Sequence, residues 1–174
     1  MAHDLASRFE ELIVPHLDDA YTLARYLLRD EHDAQDAVQD AALRAFRYFD
    51  GFRGGDARAW LLAIVRNCCL TLKRRHQNDR LTIPISEDHL SVDRESRQTD
   101  AAAIEASDRA AITRAVTELP IEFREVIVLR ELQGLPYAQI SNIVGVPIGT
   151  IMSRLSRGRK RLAARLGVTE QEAS

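Results

Sequence analysis

Aromatic residues, cysteines and long apolar runs are all scarce in this sequence. Aromatic residues make up only 6% of the chain, and no apolar run approaches the roughly 20 residues that a membrane-spanning helix needs. The first four residues, Met1 to Asp4, lack the basic and then apolar layout of a signal peptide. These absences argue against a secreted or membrane protein, so we expect a cytoplasmic protein with no membrane insertion.

The only two cysteines are adjacent, at Cys68 and Cys69. Neighbouring cysteines rarely form a disulfide, and no CxxC pair or histidine-rich pair completes a metal site. Cys68 falls on an apolar helix face, which favours a buried thiol, whereas a redox role for Cys69 stays open. We predict no metal and no cofactor. The chain also lacks a glycine-rich phosphate loop and a nucleophile motif, which argues against an enzyme.

Apolar residues instead recur at helical spacing in the amino-terminal half of the chain. A first helical pattern runs from Phe9 to Leu28, and Pro15 inside it should kink the helix or split it in two. A second helix starts near Asp33. The polar turn Asp50-Gly51-Phe52-Arg53-Gly54-Gly55-Asp56 leads into a third helix, from about Arg58 to Arg75. No strand pattern of any length appears.

The helical periodicity disappears between Gln77 and Asp100, where Pro84 and an excess of acids indicate a linker. Fully stretched, this segment could reach roughly 80 Å. Asp100 can cap a helix over residues 101–118, and Pro120 opens another over residues 121–133. The sequence therefore predicts an all-α protein with two small helical domains joined by a flexible linker.

The segment 134–166 is strongly basic, although the chain as a whole is slightly acidic. The formal net charge of the protein is −2, yet this segment contains no Asp or Glu. Its second half carries six cations: Arg154, Arg157, Arg159, Lys160, Arg161 and Arg165. A solvated amphipathic helix is the simplest alternative, but such a helix normally mixes both signs. One-sided charge favours a polyanionic partner.

The same segment has the spacing of a helix-turn-helix. A helix over Tyr137 to Val144 is followed by the turn Gly145-Val146-Pro147 and by a second helix from Ile148 to about Arg165. Gly145 suits a positive φ, and Pro147 fits the first turn of the second helix. Such a helix presents its amino-terminal residues to base edges in the major groove of DNA. A second positive region lies between Arg44 and Arg80, with nine bases against three acids.

Two sets of motifs, in order, resemble the sigma-70 family of bacterial transcription initiation factors. Region 2 of that family is resembled by Asp33-Ala34-Gln35-Asp36-Ala37-Val38-Gln39-Asp40, Leu43-Arg44-Ala45-Phe46, Ala59-Trp60-Leu61 and Arg66-Asn67. Region 4 is resembled by Leu119-Pro120, Leu129-Arg130, Gly134-Leu135, Tyr137, Ile140, Gly149-Thr150-Ile151, Ser153-Arg154-Leu155 and Arg157-Gly158-Arg159. The resemblance covers residues 7–76 as a three-helix region 2 domain and residues 101–166 as region 4, with residues 77–100 as the linker. Because only these two domains are present, the chain resembles the extracytoplasmic-function (ECF) group.

The resemblance implies a protein that binds core RNA polymerase, directs it to promoters and helps to melt the duplex, without enzymatic activity of its own. It implies an anti-sigma factor as a further partner. It assigns polymerase binding to Asp36, Gln39, Asp40 and Arg44. It assigns the minus-10 element to Phe52, Arg66, Asn67, Lys73 and Arg74. It assigns the minus-35 element to Arg130, Thr150, Ser153, Arg154, Ser156 and Arg157.

The chemistry of these side chains suits those roles. Asn67 carries donors and an acceptor for a flipped base edge, and Phe52 could stack on a base. Arg157 is the best candidate for a bidentate base contact, whereas Arg130 more plausibly binds phosphate. Three roles stay open for Arg159, Lys160 and Arg161: binding phosphate, binding polymerase, or contact with solvent alone. The linker acids Glu87, Asp88, Asp93 and Glu95 could mimic nucleic acid in the polymerase cleft.

The main alternative is a conventional DNA-binding regulator that binds its operator unaided through the same helix-turn-helix. That alternative leaves the motifs between Asp36 and Asn67 unexplained. It also usually needs a dimerisation element or a ligand pocket, and neither is evident in the sequence.

Overall fold

The computed structural model describes residues 2–82 and 100–167, and these residues form helices joined by short turns. Four helices make the amino-terminal half: α1 (Ala2–Ile13), α2 (Leu17–Leu28), α3 (Glu31–Tyr48) and α4 (Ala57–Thr82). A 3-10 turn at Val14–His16 separates α1 from α2, and it contains Pro15. Pro15 was predicted to kink the helix or to split it in two, and the structure has the split. Residues 2–82 therefore contain four α-helices, where three were expected for this domain.

Four more helices make the carboxy-terminal half: α5 (Asp100–Thr117), α6 (Ile121–Ile127), α7 (Tyr137–Val144) and α8 (Ile148–Leu166). A π-helical turn at Val128–Leu132 continues α6, and the N–H of Gln133 donates to the carbonyl of Val128 at 3.1 Å. The single helix predicted over residues 121–133 therefore changes its winding halfway. Gly134, with φ of 69°, ends it.

Two helix boundaries differ from those that the sequence predicts. Helix α3 begins at Glu31, because the Asp30 side chain accepts from the backbone N–H of Asp33 at 2.8 Å and caps it. Helix α4 continues to Thr82, beyond the predicted end near Arg75, since no glycine or proline interrupts it there. The acids at 87, 88, 93 and 95 lie outside the described residues.

The two halves pack on each other through one continuous apolar core. Leu23, Leu27 and Leu61 from the amino-terminal half and Ile127 and Ile140 from the carboxy-terminal half are almost fully buried in the same cluster. The all-α fold is confirmed, and the described residues contain no strand. No helix within residues 2–82 and 100–167 is long and apolar enough to cross a membrane.

Candidate nucleic-acid interface

The turn between α7 and α8 is fixed by local hydrogen bonds. Gly145 has φ of 79°, in the left-handed region that favours glycine, and its N–H donates to the carbonyl of Ser141 at 2.8 Å. The Ser141 hydroxyl donates to the carbonyl of Val146 at 2.6 Å. Pro147 precedes the first residue of α8 rather than lying within its first turn. The predicted helix-turn-helix is present, and its turn sets the direction of α8.

Helix α8 buries one face against α6 and leaves the other open. Ile151 and Leu155 are almost fully buried. Gly158 is buried as well, and a Cβ at that position would come within 3.0 Å of Cγ1 of Ile127. A side chain at this position would be tight against Ile127, so Gly158 favours the close approach of the two helices. The opposite face is available to a partner.

Most of the predicted minus-35 residues lie on that open face. Ser153, Ser156 and Arg157 are exposed, and Thr150 and Arg154 are half-buried. Arg130 belongs to the π-helical turn, and its guanidinium donates to the carbonyl of Leu135 at 2.9 Å. It also lies 4.8 Å from the centre of the Tyr137 ring. Arg130 thus braces the start of α7, which limits the donors that it can offer to phosphate.

Acidic residues outside α8 neutralise part of the basic segment. Arg154 pairs with Glu125 at 3.4 Å, Arg159 pairs with Glu131 at 2.6 Å, and Arg165 pairs with Glu118. The hydrogen bond from Arg159 to Glu131 raises the pKa of that guanidinium. Sequence counting missed this balance, because the acids lie outside residues 134–166.

Three cations of α8 are exposed and have no carboxylate partner among the described residues. They are Arg157, Lys160 and Arg161. Arg161 lies over the ring of Phe123, 5.1 Å from its centre. Arg157 is therefore the most available arginine beside the exposed serines, which supports its selection as the base-contacting residue.

Phe52 lies in an aromatic cluster at the turn before α4. Its ring centre is 5.0 Å from that of Trp60 and 5.8 Å from that of Phe49, nearly parallel to the latter. Phe52 is half-buried, and Trp60 packs against the core. One part of the Phe52 ring is thus occupied by protein, which leaves only its remaining surface for stacking on a base.

The other predicted minus-10 residues divide into two groups. Asn67 and Arg74 are exposed on α4. Arg66 is largely buried and donates to Glu125 from two nitrogens, at 2.7 and 3.2 Å. Lys73 is half-buried, and its pKa is lowered by burial and by the nearby charges of Arg124 and Arg29. The structure therefore does not bring all five residues to one open surface.

The predicted polymerase-binding residues lie on α3, beside a groove against α4. Asp36, Asp40 and Arg44 line a cavity of about 360 Å³, whereas Gln39 is exposed outside it. Arg44 pairs with Asp40 at 2.9 Å. Its hydrogen bond holds the pKa of the Asp40 carboxyl below the usual value. Ionised groups around a groove suit a polar protein interface.

Cys68 lies at the floor of this groove, and Cys69 lies in the core. Burial raises the pKa of Cys68 to about 11 and that of Cys69 to about 12. Both groups are protonated thiols at neutral pH, and thiolate is the reactive form. This environment favours the buried-thiol interpretation over a redox role.

Sequence reasoning missed two residues that connect the halves, Arg58 and Glu125. Arg58 donates to Asp19 at 2.6 Å and to the carbonyl of Gln133 at 2.8 Å. Glu125 is 3% exposed and receives Arg66 and Arg154. The sequence did contain a signal for Glu125, because the adjacent charges Arg124 and Glu125 interrupt an apolar run. Charged residues are almost never fully buried unless they are paired, so charges in such a run indicate partners elsewhere in the fold.

Comparison with known proteins gives matches over both halves. Sigma-70 region 2 matches residues 12–79, and sigma-70 region 4 matches residues 109–162. The ECF RNA polymerase sigma factor SigM of Mycobacterium tuberculosis is 36% identical over 160 residues, which is 91% of this chain and 77% of that protein. SigE of Mycolicibacterium smegmatis is 34% identical over 154 residues, 88% of this chain. The match spans 60% of that relative's length.

Solved structures show the same arrangement of helices. The sigma factor RpoE of Bartonella quintana, in complex with the anti-sigma factor NepR, has a TM-score of 0.79 at 27% identity, over 94% of this chain and 99% of that one. CnrH in complex with the cytosolic domain of CnrY has a TM-score of 0.65 at 26% identity, over 95% of this chain and 94% of that one. The likeness extends over both halves together.

Proposed function

The chain belongs to the ECF group of the sigma-70 family, and on that basis we propose that it binds core RNA polymerase and directs it to particular promoters. It recognises a minus-35 element through α8 and a minus-10 element through α4, and it helps to melt the duplex. The polymerase carries out the chemistry. The observation that carries this proposal is the presence of both family regions, in order, on one continuous chain.

For the minus-35 element, the proposed contacts come from the open face of α8. Arg157 binds a base edge, and Ser153, Ser156 and Thr150 bind bases or phosphates beside it. Arg154 also contacts the DNA when its ion pair with Glu125 is broken. Arg130 stabilises the helix-turn-helix and offers its remaining donors to phosphate. Exposure of the two serines and Arg157 along one helix face supports this assignment.

For the minus-10 element, we propose that Asn67 binds the edge of an unstacked base, with the Phe52 ring beside it. Arg66, Lys73 and Arg74 bind the backbone of the displaced strand. The exposed position of Asn67 on α4 supports a role in direct contact rather than in packing. Asn67→Ala should leave closed-complex formation intact and impair melting, because only the open complex presents an unstacked base.

A permanganate footprint of unpaired thymines measures that effect. The neighbouring exposed residue Arg74 offers a comparison, since Arg74→Ala should weaken strand binding at all sequences alike. Equal melting by wild type and Asn67→Ala would remove Asn67 from the site.

For polymerase binding, we propose the surface of Asp36, Gln39, Asp40 and Arg44 beside the groove between α3 and α4. Run-off transcription with purified core polymerase on a pool of genomic promoter fragments tests the whole function. Discrete transcripts that depend on the added protein are expected. Tight specific binding to DNA by the chain alone, without association with polymerase, would support the conventional regulator instead.

We further propose an anti-sigma factor as a regulatory partner. The supporting observation is the likeness of the fold, over 94% of this chain, to the sigma factor RpoE solved in complex with the anti-sigma factor NepR. Co-purification of a tagged chain from its native cells, followed by inhibition of run-off transcription by the recovered protein, tests this. Transcription that is unaffected by every recovered protein would contradict it.

A further inference from the structure

The first two turns of α8 expose two large apolar side chains beside the proposed base-contacting residues. Ile148 is 45% exposed and Met152 is 53% exposed. Residues four apart in a helix are neighbours on its surface, so these two side chains lie next to each other. We call Ile148 and Met152 the apolar pair. Single exposed apolar residues are common on protein surfaces, so exposure by itself assigns the pair no role.

The residues around the apolar pair offer few side-chain hydrogen-bond donors. The helix has no charged residue from Ile148 to Ser153. The next residue, Arg154, is half-buried and pairs with Glu125. The Ser153 hydroxyl donates to the carbonyl of Thr150 at 3.0 Å, so its proton is used within the helix and its oxygen is left as an acceptor. Donors are therefore scarce at the end of α8 that faces base edges in a helix-turn-helix.

Gly149 lies beside the apolar pair, and nothing in the described residues requires glycine there. A Cβ at this position would meet no atom within 4 Å. Gly149 is also helical and exposed, and it is absent from the glycines with positive φ, unlike Gly145. Glycine allows a ligand to come close to the backbone. The bare backbone at Gly149 thus leaves room for a partner to reach the apolar pair closely.

The major groove of DNA presents an apolar group that fits this surface. Thymine carries a C5-methyl group there, and the other three bases do not, so an apolar side chain can distinguish thymine. Residues four apart differ by about 6 Å along a helix axis, and successive base pairs differ by about 3.4 Å, so the pair spans about two base pairs. Arg157 lies roughly 7.5 Å beyond Met152 along the axis, where it reaches neighbouring positions.

We propose that Ile148 and Met152 are specificity-determining residues of the minus-35 contact, and that they bind the C5-methyl groups of one or two thymines. The inference rests on the proposed function of α8. It adds an apolar component to the contact by Arg157. The arginine recognises a base edge by hydrogen bonds, whereas the apolar pair recognises thymine by burying its methyl group.

Replacement of thymine by uracil tests the proposal, because it removes one methyl group and leaves every hydrogen-bonding group of the base in place. Holoenzyme made from the full chain and core polymerase first selects its minus-35 element from a pool of random duplexes. Each thymine of that element, on either strand, is then replaced in turn by uracil. Uracil at one or two positions should weaken binding by about fourfold each, the effect of losing one buried methyl group.

Variants of the apolar pair assign the methyl contact to the helix. Met152→Ala and Ile148→Ala should bind the thymine element more weakly, and each should lose most of the uracil effect at one position. Met152→Leu keeps an apolar side chain and should retain the effect. Ile104 of α5 is 64% exposed, so Ile104→Ala is a matched truncation away from α8. It should bind the thymine and uracil duplexes as the parent chain does.

Several results would overturn the proposal. They are a selected element without thymine on either strand, binding that no uracil replacement weakens, and a uracil effect that persists in both Met152→Ala and Ile148→Ala. Weaker binding of these two variants to core polymerase, with the uracil effect unchanged, would place the apolar pair in the polymerase interface instead. A holoenzyme that selects no duplex would contradict the proposed function as well, whereas the other results leave that function standing.

Discussion

The two halves of this molecule hold their proposed DNA-binding cations in different ways. In the carboxy-terminal half, acids from neighbouring helices pair with Arg154, Arg159 and Arg165, while Arg157 stays exposed. In the amino-terminal half, Arg66 is taken up by Glu125 from the other half. The paired arginines of the carboxy-terminal half are neutralised by acids of the same half, whereas Arg66 is neutralised by an acid of the other half. The availability of a cation to DNA therefore depends on which helix supplies its partner, and charge counts along the sequence do not reveal it.

The largest expected effect is the loss of stability when Arg124, which forms hydrogen bonds with both halves, is replaced. This residue is 3% exposed, and burial lowers its pKa to about 10. Its guanidinium donates to Leu119 within its own half and to the carbonyls of Tyr26 and Leu27, at 3.1 and 3.2 Å, at the end of α2. Arg124→Met should lower the free energy of unfolding by about 2–4 kcal/mol, since buried carbonyls lose charged donors.

Urea unfolding followed by circular dichroism measures this loss. Because the bonds of Arg124 reach both halves, one cooperative transition with a lower midpoint is expected. Two separate transitions, with only the carboxy-terminal one shifted, would show that the two halves unfold independently and that Arg124 does not couple them.

A smaller effect should come from Arg157, an exposed arginine of the carboxy-terminal half that has no carboxylate partner among the described residues. Arg157→Ala should weaken holoenzyme binding to the correct minus-35 element by about 1–3 kcal/mol, the usual range for a bidentate base contact. Binding to core polymerase should not change. Competition between matched and altered minus-35 duplexes measures it, with Lys160→Ala as the control for phosphate contact. An equal loss at every DNA sequence would make Arg157 a phosphate ligand.

The helices and the helix-turn-helix were predictable from the sequence because they depend on local patterns. Apolar residues at helical spacing indicated the helices, and Gly145 marked a turn that needs positive φ. The Pro15 break was equally local. These features depend on residues close in the chain, so one sequence suffices to find them.

The contacts that decide the state of the candidate site were not predictable. Arg66 and Glu125 are 59 positions apart, and Arg58 and Gln133 are 75 apart. Periodicity says which face of a helix is buried, but the partner of a charged side chain depends on how helices from both halves cross. Counting cations along the sequence cannot distinguish Arg66 from Arg157, although only Arg157 is exposed.

The smallest effect should come from freeing a cation in the carboxy-terminal half. Arg159 and Glu131 form an exposed pair, and such pairs contribute about 0.2–1 kcal/mol to stability. Glu131→Gln should therefore barely change the unfolding free energy, yet it releases Arg159 for phosphate. The salt dependence of DNA binding should steepen by about one unit in the slope of log affinity against log salt concentration. Glu105→Gln, an exposed change on α5, is the control. An unchanged slope would mean that Arg159 lies away from the DNA, and that pairing by Glu131 serves α8 itself rather than its charge.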